Sequence, residues 1–170
     1  MMKSRRVTPK SGVTLRYPLE LTKRGGDPEV RKCLSRQLPV LLEQYQERKD
    51  GRNFIWGSEA QVAGYLKIVE AAPVLARRID MHTSGGMGGS MGYNFFDYEA
   101  DYALTRIGPP AVRLVIDVLN HGNPLQREIA AHVLRYIGTH DAWQALEDRL
   151  PKESDPKVRA RIREALKSHR

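Results

Sequence analysis

A helix opening of one form recurs three times in this chain, and its spacing constrains the fold more than any other feature. Asp27-Pro28-Glu29-Val30-Arg31, Asn123-Pro124-Leu125-Gln126-Arg127 and Asp155-Pro156-Lys157-Val158-Arg159 share it, the last two 32 positions apart. The Asp or Asn side chain can accept bonds from free amides at a helix start, and proline fits the first helical position, where no N–H is needed. A matching stop also recurs: Leu104-Thr105-Arg106-Ile107-Gly108 precedes Leu134-Arg135-Tyr136-Ile137-Gly138 by 30 positions. After each glycine comes a second amphipathic segment, Val112 to Leu119 and Ala142 to Leu150. Such a helix pair has an apolar face too wide to bury alone. Stacking neighbours at a period of about 30 residues buries it. The expected fold is all-α, a short α-α superhelix.

Helical spacing fills in the rest. Val30, Cys33, Leu34 and Leu38 share one face of a first helix, which makes Cys33 a buried small hydrophobe, and Pro39 is expected to break or kink that helix. Asn53 to Gly57 reads as an aromatic connector with Trp56 as a possible anchor, and Ser58 with Gln61 as a capping box opening the next helix. Pro73 is expected to divide that helix, and Asp141 to cap the segment carrying Trp143 and Leu146. The expected organisation is a basic, irregular arm at 1–26 and a repeat domain at 27–170. A Gly/Met-rich loop is inserted at 83–94.

Residues 99–170 resemble HEAT-like repeats, particularly the short type of phycobilisome lyase-like proteins. The motifs are Asp155-Pro156-x-Val158-Arg159, Leu134-x-x-Ile137-Gly138 and Leu104-x-x-Ile107-Gly108, with a looser match over 27–80. The resemblance implies a curved superhelix whose second helices line a concave binding face. It implies no reaction, since most such proteins bind other proteins.

Charge is unevenly placed. Residues 1–26 carry a net +6, 152–170 a net +4, and the body between them −2. Basic ends of this kind fit nucleic-acid phosphates, an acidic protein surface, or solvated charge alone. On the phosphate reading, Arg5, Arg6, Lys10, Lys157, Arg159, Arg161 and Arg163 make sequence-independent contacts. The N-terminal stretch has only Tyr17 among its cations, which is poor interleaving for a single-strand platform.

No catalytic constellation emerges. The five histidines lack metal-ligand spacing, and His132, mid-helix, is expected on the surface or in a groove. Asp97, Glu99 and Asp101 sit at a helix start, where dipole compensation accounts for them. The loop's glycines at 85, 86, 88, 89 and 92 lack the Lys-Ser/Thr of a phosphate loop. A copper site from Met81, His82, Met87 and Met91 is conceivable on residue type alone. The expectation is a non-enzyme without metal or cofactor. The longest charge-free run, Met81 to Phe96, is polar and glycine-rich, and no membrane span or secretory leader is expected, which places the chain in the cytoplasm.

The favoured function is a protein-binding scaffold or adaptor whose partner is another protein or a larger assembly. Arg113, Asp117, Gln144, Glu147 and Asp148 are the candidate concave-face residues, with Met87, Met91, Tyr93 and Phe95 of the loop as adaptable contacts. The last helix has no second helix to cover it, so self-association is a further expectation. Nucleic-acid binding through the basic ends is the alternative.

Overall fold

The recurring starts and stops set most of the helix boundaries. A computed structural model describes residues 27–44, 54–81 and 99–169, the side chains of 54–58 excepted. Among them lie eight α-helices and no strand: α1 (Pro28–Gln44), α2 (Phe54–Tyr65), α3 (Ala72–Arg77), α4 (Glu99–Ile107), α5 (Val112–His121), α6 (Pro124–Ile137), α7 (His140–Arg149) and α8 (Pro156–Lys167). The arm at 1–26 and the Gly/Met-rich loop fall outside the described residues.

The caps work as residue type dictates. Asp27 Oδ1 accepts from the Glu29 N–H at 2.9 Å, and Asp155 Oδ1 from the Lys157 and Val158 N–H groups at 2.9 and 3.1 Å. Asn123 and Gln126 form a reciprocal capping box, each side chain accepting from the other's backbone at 3.0 Å. Gly108 and Gly138 end α4 and α6 at φ 78° and 65°, conformations that disfavour a Cβ. The cap of α7 differs from expectation: Thr139 Oγ1 accepts from the Ala142 N–H at 3.2 Å, and Asp141 sits inside the first turn.

The larger departures lie in α1 to α3. Pro39 does not break α1, which runs unbroken through it. Leu34, Leu38 and Leu42, spaced by four, bury on both sides of the proline, and that packing outweighs one lost backbone bond. The same ridge leaves Cys33 off the buried face and exposed. Phe54 to Gly57 of the aromatic connector are helical, for α2 begins at Phe54 and Ser58 lies inside it. The division expected at Pro73 occurs earlier. The Lys67 N–H donates to Gly64 O and the Ile68 N–H to Ala63 O, a Schellman closure with Lys67 left-handed at φ 51°.

The helices form two layers. α2, α4, α6 and α8 pack side by side in the first, α3, α5 and α7 in the second, and α1 lies across the end against α2 and α3. The core between the layers takes Ala63, Leu104, Leu134 and Ile162 from one side, and Leu75, Val115, Leu119 and Leu146 from the other. Burying one such leucine, isoleucine or valine contributes about 1.5–3 kcal/mol. The α2–α3 pair repeats α4–α5 forty positions earlier: Ala60, Ala63, Ala71, Leu75 and Ile79 occupy the places of Ala100, Ala103, Ala111, Val115 and Leu119, all buried. This is an all-α helical repeat fold.

Candidate functional site

Neighbouring second helices in a two-layer array leave a furrow wherever their side chains are short. Between α5 and α7 this furrow is a groove of about 370 Å³. Ile116 and Ala145, both half-buried, form its apolar floor. Asn120, His140, Asp141, Gln144, Asp148 and Lys152 form its polar walls. The Gln144 amide donates to Asp148 Oδ1 at 3.1 Å, one helical turn away, which fixes both side chains. Of the groove's charges, the carboxylates of Asp141 and Asp148 outnumber the ammonium of Lys152.

The ends of α5, α6 and α7 are tied by a buried carboxylate. Glu153 is 1% exposed. Arg127 grips it with two bonds (2.8 and 2.9 Å), Arg149 with two more (2.9 and 3.1 Å), and the Asp155 N–H donates at 2.9 Å. Burial pushes this carboxyl upward, but the bonds from Arg127, Asp155 and Arg149 outweigh it and hold the pKa at about 2. The arginines of the recurring opening thus share a task. Arg127 also donates to Gly122 O at 2.8 Å, Arg159 bonds Glu153 O, and Arg31 donates to Lys67 O at 3.2 Å. Each ties a helix start to the backbone of another turn.

Residues 98–167 match the family model of HEAT repeats. No curated protein and no solved structure matches the chain. The HEAT-repeat match spans α4 to α8, whereas α2–α3, within the looser resemblance over 27–80, lies outside it and repeats the burial pattern of α4–α5.

Within this array the candidate residues separate. Gln144 and Asp148 line the groove. Arg113, Asp117 and Glu147 are exposed on the same two helices but outside its lining, and Asp117 pairs with His121 at 3.0 Å. Ile116, Asn120 and Asp141 were absent from the candidate set. Four-residue spacing from Ile116 to Asn120 and from Asp141 to Ala145 was the available sign. Met87, Met91, Tyr93, Phe95, Arg5, Arg6 and Lys10 lie outside the described residues. Of the C-terminal cations, Arg159 is engaged with Glu153, and Arg161 with Glu164 (3.0 Å) and Glu128 (3.3 Å). Lys157 and Arg163 are exposed.

Two titratable residues sit where the sequence did not place them. His132 is buried, not in a groove, with Nδ1 2.7 Å from Asp101 Oδ2. Asp101 is accordingly an interior partner between α4 and α6, not a helix-dipole residue at the surface. Burial raises its pKa, opposed by His132, Thr105 and the charge of Arg161. Glu59 on α2 is also buried, and desolvation pushes it up to about 7. A second groove of about 440 Å³ lies between α1 and α3, with Pro39, Val40, Pro73 and Val74 along it and a Glu43–Arg77 pair across it. Among the described residues, no group of three His, Cys, Asp or Glu could hold a metal ion, and no helix is long and apolar enough to cross a membrane.

Proposed function

We propose that this protein is a non-catalytic scaffold or adaptor that docks a partner protein in the α5–α7 groove. The observation that carries the proposal is the groove's construction: an apolar floor of Ile116 and Ala145 under a wall in which Asp141 and Asp148 outweigh Lys152. A peptide segment that seats one apolar side chain on the floor and presents Lys or Arg to the wall complements it in shape and charge. HEAT repeats commonly mediate protein–protein interaction, and the match over 98–167 includes both helices of the groove. The spacing of about 30 residues is the ground for grouping the array with the short, phycobilisome lyase-type repeats. A cytoplasmic adaptor is the corresponding place in the cell.

The test is capture of partners from the native source by the wild-type protein and by an Asp141→Lys/Asp148→Lys variant. Both carboxylates are exposed, so the variant keeps its fold. A partner retained by the wild type and weakened about tenfold or more by the reversal supports the groove. A partner retained equally by both places the docking surface elsewhere.

A further inference from the structure

We infer that the rim where the first-layer helices end is a surface for single-stranded nucleic acid. The repeat brings Tyr65 and Lys67 at the end of α2, Tyr102 and Arg106 on α4, and Arg135 and Tyr136 on α6 to the same edge of the array. In the linear sequence these residues are scattered over 72 positions. In the fold they interleave. The Arg106 guanidinium carbon lies 5.9 Å from the centre of the Tyr65 ring and 6.0 Å from that of Tyr102, linking α2 to α4. That of Arg135 lies 5.6 Å from the Tyr136 ring. Tyr65 and Tyr136 are 52% and 48% exposed, although rings this large usually bury most of their surface.

Alternating cations and exposed rings is what a single strand requires. Guanidinium and ammonium groups track its phosphates, and tyrosine faces accept its bases without reading sequence. Of the acidic groups, Asp27 and Glu29 stand at the start of α1, whose Arg31 donates to Lys67 O. Glu164 holds Arg135 at 2.9 Å, while Glu70 and Asp141, just past the turns, line the grooves of the other layer. An acidic protein segment could use the cations but has no use for the rings.

Lys67 is the independent sign. In the turn that ends α2, one position before the place that Gly108 takes forty residues on, an exposed lysine sits at φ 51°. A Cβ in that conformation costs about 1 kcal/mol relative to glycine. Folding therefore favours glycine there, and a phosphate contact gives the ammonium a reason to be present.

The test is fluorescence anisotropy of the full chain with three labelled probes. These are an oligothymidine of about 15 nucleotides, an abasic oligonucleotide of the same length, and a glutamate-rich peptide. The oligothymidine is expected to bind about tenfold tighter than the abasic strand, and Tyr65→Ala or Tyr136→Ala to erase about tenfold of its affinity. Lys67→Gly is expected to raise the melting temperature while weakening both nucleic acids. The arm's charge at 1–26 adds to both strands alike and creates no preference between them. Equal binding of the thymidine and abasic strands, or peptide binding as tight as oligothymidine, overturns the proposal. So does an unchanged preference in the tyrosine variants. If an alanine variant unfolds, Tyr65→Leu keeps the apolar bulk without the ring and decides the same question.

Discussion

Between α2 and α4 the backbones themselves approach: a Cβ added to Gly64 would stand 2.6 Å from Ala103 Cα. Between α6 and α8 the joint is ionic instead. Arg135 reaches Glu164, Arg161 reaches Glu128, and Glu153 gathers Arg127 and Arg149 just before α8 begins. One repeat architecture is thus closed by steric fit at one end and by charge at the other. The first joint responds to volume. The second responds to pH and salt.

The largest expected effect is at the ionic end. Glu153→Ala leaves two partly buried guanidinium groups without their shared partner and is expected to cost about 3–5 kcal/mol in chemical denaturation. The wild-type contribution of Glu153 also has a pH signature. Its carboxyl is held at about 2 in the folded state against an ordinary 4.5. The contribution is therefore complete above about pH 4.5 and lost as the pH falls toward 2. Next comes Gly64→Val, which forces α2 and α4 apart and is expected to cost about 2–3 kcal/mol at any pH or salt concentration. Comparable losses under low and high salt verify that this joint is steric.

Glu59→Gln is expected to act in the opposite direction. Its carboxyl is raised from 4.5 to about 7, so the folded protein holds a proton that the unfolded chain releases. Stability from this group is present below about pH 4.5 and declines as the pH rises through 7. The glutamine variant is therefore expected to be more stable by roughly 2 kcal/mol near pH 8 and unchanged near pH 4.5, measured by thermal melts at both. The smallest effect belongs to Arg161→Gln. Its pairs with Glu128 and Glu164 are partly exposed, and their loss is expected to cost less than about 1 kcal/mol and to vanish near 1 M salt.

This contrast also explains what was legible in sequence. Asp155-Pro156, Asn123-Pro124, Gly108 and Gly138 act through their own backbone neighbourhoods, so they could be read locally, and α4 to α8 fell out almost to the residue. The α2–α3 repeat matched only loosely, because no glycine marks its turn and its left-handed residue is Lys67. Pro39 and Cys33 misled for a related reason: their fate depends on what Leu34, Leu38 and Leu42 pack against. The groove was half legible. The second helices were known, but which of Arg113, Asp117, Gln144, Glu147 and Asp148 faced it turned on a rotation of one residue. Asp101 and His132 were invisible as a pair, since 31 residues separate them and only lateral stacking of α4 on α6 joins them.

The central claim is that the α5–α7 groove is where a partner protein lies. Photo-crosslinking tests it most directly, with a photoreactive residue placed at Gln144 in the groove and, separately, at Leu125, which is 42% exposed on α6 in the other layer. The account predicts a discrete partner adduct from position 144 and none from 125. An adduct from 125 alone, or the same adduct from both positions, contradicts it.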